Sequence, residues 1–442
     1  MTKHLKSMSP IDKLKRLTGE NVKTHAESSA KKVQIDELRR RIDDVMARRN
    51  RHAQNELRQK TSVGKDNLQE YVAGEEIENE LGKFFLASGV VHASSRHGYR
   101  NIRETFGFDM TAAAMLANNH LISGLSCADA LFLDTETTGL AGGTGTMAFL
   151  IGLGWFEEGH FHVRQILARD FGEEKAALAY LADVASRKKF LITFNGKAFD
   201  VNLLTTRFIM NRLKSELNLL PHLDLLHPSR RILGHRLANS RLCTLEAEVL
   251  GVEREGDIPG WEIPQRYFDW LKSRDGRLLA AIFEHNRLDV ISMSSLTMHL
   301  TEILMAQESV QNATADDYLA AARLLLNRHD LEGAAKIFNI FQGQTCGELS
   351  SLSKKQLSHL YKRTGRWQEA VQIWQEMAAE KPVEFSAISE LAKYLEHRVH
   401  DYHQAKLLVE EALGEDNVFS EEERESLSHR LARLERLSSK KN

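Results

Sequence analysis

Leu131-Phe-Leu-Asp134-Thr-Glu136-Thr-Thr-Gly139 is an apolar run that ends in two carboxylates two positions apart. On a β-strand that spacing puts both side chains on one face. Acids sharing a partly buried face repel one another unless positive charge lies between them, and hard divalent cations prefer such oxygen ligands. The run therefore reads as a strand bearing a metal site, although a lone Asp-x-Glu also fits a strand end whose acids solvate a loop.

Outward from this run, strand-like and helix-like segments alternate between Leu131 and Leu300, the pattern of an α/β domain. Candidate strands are 131–136, 148–156, 161–169 and 190–194, and candidate helices are 173–187, 199–213 and 278–304. The Glu157-Glu158-Gly159 turn predicts a hairpin between the second and third strands, so the sheet is mixed rather than all-parallel. Two further carboxylate motifs follow. Leu191-Ile-Thr-Phe-Asn195-Gly-Lys-Ala-Phe199-Asp200 places an acid just past a buried strand, at the opening of a helix. Phe283-Glu-His285-Asn286-Arg-Leu-Asp289 sets His285 and Asp289 four apart, neighbours on one helix face. Three rigid elements each delivering a carboxylate is how a two-metal catalytic site is assembled.

These motifs resemble those of the DEDD exonucleases of the ribonuclease H-like superfamily: Asp-x-Glu at 134 and 136, Asn195 with Phe199-Asp200, and His285 before Asp289. The resemblance extends to the bacterial YprB-type subfamily through 131–146, 193–200, 221–231, the Ile-Pro-Gly segment 258–260 and 285–292, with 75–108 similar to that family's leader. It implies a ribonuclease H-like mixed five-stranded sheet flanked by helices, two Mg²⁺ or Mn²⁺ ions, and 3′ to 5′ exonuclease hydrolysis of DNA or RNA. By position, Asp134, Glu136, Asp200 and Asp289 would be the metal-binding acids and His285 the base acting on water. Thr135, Thr137, Gly139, Asn195, Phe199 and Asn286 would face the substrate. Histidine-type members place the histidine five residues before the last acid and tyrosine-type members use four; here a histidine occupies the four-residue position.

Other features leave alternatives open. Ala141-Gly-Gly-Thr-Gly-Thr146 lets backbone amides approach a phosphate or simply closes a tight hairpin. Asn195 closes a strand-to-helix turn or touches the nucleotide, and Phe199 stacks on a base or fills the core. In His222-Leu-Asp224-Leu-Leu-His227 a structural role is favoured over metal ligation. Arg230, Arg231, Arg236 and Arg241 form a basic cluster that could track a phosphate backbone or be plain surface.

The 442 residues, 42% hydrophobic and 27% charged, suit a multidomain globular protein rather than a disordered chain. Cys127, Cys243 and Cys346 show no zinc-finger spacing, which points to a reducing compartment. With no apolar stretch of about 18 residues and a basic, polar start, the expectation is a cytoplasmic protein without membrane contact. Residues 1–60 carry 16 Lys and Arg against 8 Asp and Glu, a basic leader on an acidic body; 35–57 has a narrow apolar stripe of helical period. Residues 61–125 read as a small mixed accessory segment, 126–305 as the ribonuclease H-like domain, and 316–438 as all-α repeats. Ala334, Ala370 and Ala405 recur in aligned motifs, 36 and 35 residues apart, near the period of about 34 of the tetratricopeptide (TPR) repeats they resemble, which would bind a protein partner, against a plain helical bundle. The rival to an enzyme is a nucleic-acid-binding adaptor that works through this TPR-like module.

Overall fold

In the computed structural model, residues 67–139, 145–308, 310–340, 351–380, 383–414 and 419–439 are described; the basic leader and its candidate helix lie outside them. Ala130 to Leu133 are buried at every position and open the central strand β3 (Ala130–Thr137), whose polar half, Asp134 to Thr137, is only half-buried. Antiparallel to it runs β4 (Ala148–Glu157), itself paired with β5 (His160–Leu167). Their two-residue connection has positive φ at both Glu158 and Gly159, the geometry that matches the twist of a tight hairpin. Helix α1 (Glu174–Ser186) returns the chain to β6 (Phe190–Thr193), parallel to β3, and β7 (His222–Asp224) follows, parallel to β6.

The sheet has seven strands, not the five expected. Strands β1 (Glu75–Asn79) and β2 (Gly82–Val91) extend it from β5, in the order β1-β2-β5-β4-β3-β6-β7. The physical reason lies in Phe84, Phe85 and Leu86, which are buried on that edge, so the accessory segment covers a strand that would otherwise stand open. The new edge, β1, is short and carries Glu75, Glu76 and Glu78, which discourages further pairing.

Helices α2 (Asp200–Met210), α3 (Leu226–Ile232), α4 (Ile263–Ser273) and α5 (Arg277–Leu304) complete the α/β part. Two cores result. One contains Phe149 stacked on Tyr267 at 4.0 Å, with Trp270 and the inner residues of α1 and α2. The other joins Phe132, Phe156 and Phe161 to the C-terminal half of α5, and continues without a break into the helical region through Leu319, Phe338 and Trp374.

That region comprises α6 (Ala315–Asn327), α7 (Leu331–Ile340), α8 (Ser351–Arg363), α9 (Trp367–Ala379), α10 (Phe385–Tyr394), α11 (Tyr402–Gly414) and α12 (Glu421–Ser438); α6 packs on α7 and α8, and from α8 to α12 each helix packs on the next. Ala334, Ala370 and Ala405 are fully buried on α7, α9 and α11, where a small side chain permits close helix contact. Arg236 is not free for a phosphate: it pairs with fully buried Asp317 of α6 at 3.1 Å and bonds the Asn312 carbonyl at 3.0 Å.

Helix α5 lies directly on β4 because Gly152 and Gly154 present no side chain. A β-carbon at Gly152 would overlap the Asn286 side chain, and one at Gly154 would meet Val290 and Phe161. Gly154→Ala is therefore expected to overpack this contact and cost about 1–3 kcal/mol, read as a lower urea midpoint. An unchanged midpoint would show that the helix is not seated by this glycine.

Candidate functional site

The polar half of β3 meets the start of α2 and the middle of α5. Asp134 accepts a hydrogen bond from Asn286 Nδ2 at 2.8 Å, and Asn286 in turn accepts one from Gln165 Nε2 at 2.9 Å. Gln165 also donates to the Phe283 carbonyl at 2.7 Å. This relay ties β5, α5 and β3 together through groups that burial leaves no water to satisfy. Asn286 is fully buried. It holds Asp134 and is not presented to a substrate, contrary to expectation, because the glycines of β4 draw its helix against the sheet.

Thr135 Oγ1 donates to Asp200 Oδ1, and Asp200 opens α2, where the helix N-terminus favours a negative charge. Thr137 is turned away onto the Gly139 carbonyl at 2.8 Å. The loop after Gly139 is clamped where Thr138 and Met147 exchange hydrogen bonds of 2.9 and 3.0 Å; residues 140–144 lie outside the described residues. Asn195 adopts φ +67°, a left-handed turn that asparagine tolerates, and its amide donates to Asp224 at 2.7 Å. Buried Asp224 also accepts from the amides of Lys197 and Leu226, so it organises the turn before α2. His222 hydrogen-bonds Thr193 at 2.8 Å, and burial pulls its pKa down to about 4, as suits a neutral structural histidine. Phe199, beside Asp200, is 57% exposed and fills no core.

Helix α5 brings a second group of charges. His285 Nδ1 lies 2.7 Å from Asp257 Oδ1, and its Nε2 lies 3.8 Å from Asp289 Oδ2. Arg254 bonds Asp289 through Nη2, which also reaches Glu246 at 2.5 Å, while Nη1 lies 3.2 Å from Asp257 and 3.3 Å from His285. The Arg254 side chain is only 7% exposed. Glu246 opens a single π-helical turn, Glu246–Leu250, a local widening of the helix that begins at Leu242. Sequence reading missed Gln165, Glu246, Arg254 and Asp257. A glutamine on the inner side of an apolar strand was a legible signal, whereas the charges of Glu253-Arg-Glu-Gly-Asp257 look like ordinary loop surface.

The electrostatics are unbalanced. Burial, then the charges of Asp289 and Asp200, push the Asp134 carboxyl well above the usual carboxylate range, against the Asn286 bond. Burial and Asp134 do the same to Glu136, which has no hydrogen-bond or ion-pair partner among the described residues. Burial raises Asp200 to about 6 despite Thr135. Burial alone would lower the pKa of Arg254, but Asp289 and Glu246 more than offset it and hold it above its usual value. Oxygen ligands crowded until they resist ionisation suit a hard divalent cation in kind. They are not arranged as a finished cage: no group of three or more acid, histidine or cysteine side chains among the described residues is disposed to hold an ion. Thr135, Asn286 and Arg254 already engage Asp200, Asp134 and Asp289.

A sheet of this order with acids on its central strand defines a ribonuclease H-like protein. Residues 131–301 match the family model described as RNase_H superfamily. The chain is also 34% identical over 316 residues to the uncharacterized protein YprB of Bacillus subtilis (strain 168), covering 69% of this chain and 74% of that one. The chain belongs to the YprB family of ribonuclease H-like proteins. That membership supports a nuclease-type hydrolase in contact with nucleic acid, and proteins of this superfamily generally use divalent metals. No helix among the described residues is long and apolar enough to cross a membrane.

Because Glu136 has a raised pKa in the folded chain, the folded state holds its proton more tightly than the unfolded one. Without metal, that penalty is absent near pH 4 and grows as pH rises from about 4.5 through the folded value. Glu136→Gln should thus raise the melting temperature of the metal-free protein at pH 8 by a few degrees and leave it unchanged near pH 4. A gain of equal size at both pH values would show that the charge is not what strains the site.

Proposed function

We propose that the protein is a divalent-metal-dependent 3′ to 5′ exonuclease acting on DNA or RNA. The observation that carries this reading is the gathering of Asp134, Glu136, Asp200 and Asp289 around the end of β3, the first three without a cation to compensate them. These four would hold two Mg²⁺ or Mn²⁺ ions, whose charge would stabilise the attacking and leaving oxygens of a phosphodiester. Asp257 orients His285: accepting from Nδ1 leaves Nε2 as the basic nitrogen, directed toward Asp289, where it can take a proton from the attacking water. Exposed Phe199 offers a stacking face for the terminal base beside Asp200, and Thr135 keeps Asp200 in place. The helices from 316 to 438 form a TPR-like module for a protein partner; the buried alanines at the same place in α7, α9 and α11 support this.

The rival reading, a nucleic-acid-binding adaptor with little turnover, is favoured by one observation: Arg254 already neutralises Asp289. Digestion of 5′-labelled single-stranded DNA and RNA with Mn²⁺ or Mg²⁺ separates the two. An exonuclease gives a ladder shortening from the 3′ end, slowed about a hundredfold or more by Asp134→Asn. Intact label with binding retained in both proteins would establish the adaptor.

A further inference from the structure

Arg254 is the one cation seated among the described acids of this site, and its position is built rather than incidental. Its Nη2 spans Glu246 and Asp289, and its Nη1 faces Asp257 and His285. Glu246 is fully buried, so it cannot trade the guanidinium for water without heavy cost. Asp289 differs: its side chain is 16% exposed, against 1% for Glu246. One grip of the arginine is thus permanent and the other exchangeable.

We propose that Arg254 is a placeholder cation: it holds Asp289 in the metal-free site, and a divalent ion gains Asp289 only as the guanidinium releases it and stays on Glu246. The inference rests on the metal-site reading above and adds to it that one ligand is delivered by exchange. It accounts for the absence of a finished cage among the described residues, because the positive charge of a guanidinium bonded to Asp289 repels a divalent ion drawn to the same carboxylate. It also gives a physical reason for the buried Glu246, which anchors the arginine close enough to return when the ion leaves.

Mn²⁺ affinity of the full chain, read from the free-ion signal in electron paramagnetic resonance, tests this, with circular dichroism reporting the fold. Glu246→Gln combined with Arg254→Met removes both buried charges together, so that neither is left unpaired. It should bind Mn²⁺ at least about tenfold more tightly than wild type. Arg254→Lys keeps the charge but cannot grip Glu246 and Asp289 at once, and should move affinity the same way. Asp289→Asn should cost little in wild type and about tenfold or more in the Glu246→Gln/Arg254→Met background, a coupling that a distant field would not produce. An equal Asp289→Asn cost in both backgrounds, or weaker binding in Arg254→Lys, would overturn the placeholder role while leaving the metal site intact. No Mn²⁺ binding by any of these proteins would overturn the metal site, and the placeholder with it.

Discussion

The contact between α5 and β4 at Gly152 and Gly154 governs the geometry of everything polar in this protein. Two side chains missing from one face of a strand allow a 28-residue helix to settle against the sheet. At that distance Asn286 reaches both Gln165 and Asp134, and the three form a direct hydrogen-bonded relay. The same seating carries His285 and Asp289 to the polar end of β3. A helix held further out by side chains at 152 and 154 would leave Gln165 and Asn286 as buried, unsatisfied amides, each costing about 1–3 kcal/mol. Packing and polar satisfaction therefore support one another, and the acids are held by both.

Such a site stores electrostatic strain. Asp134, Glu136 and Asp200 are each driven above the ordinary carboxylate range, chiefly by burial; the bonds from Asn286 and Thr135 relieve the first and last only in part. On the helix side the balance is different. Arg254 faces three carboxylates, so Asp289 and Asp257 are compensated while the strand acids are not. The two halves meet at Asp289, which makes this residue the hinge of the charge balance. The uncompensated negative charge of the site therefore lies at β3 rather than at α5.

The helical region is joined to the α/β part by more than a linker. Phe132 and Leu296 belong to the same apolar cluster as Leu319, Phe338 and Trp374. Arg236, which on sequence alone looks like one of a row of phosphate-binding arginines, is spent on buried Asp317 instead.

Much of this was legible in local sequence. Apolar residues 131–133 followed by alternating acids can only be a strand with one polar face, and the two-residue hairpin at Glu158-Gly159 and the four-residue spacing of His285 and Asp289 follow from backbone period alone. The recurrence of Ala334, Ala370 and Ala405 marked paired helices for the same reason. What depended on distance in space was not legible. Phe84 to Leu86 read as part of a separate small module because no local pattern says which edge a strand will join. Asn286 looked like a substrate contact because its burial depends on glycines more than 130 residues earlier in the chain. Arg254 and Asp257 looked like loop charges because a charged residue is solvated by default, and only the packing of 254–258 against α5 removes the water. The sequence by itself determined the period of each element and the chemistry it carries; the tertiary structure alone decided which charges lose their water and which partners they then take, since desolvation is a property of the assembled surroundings.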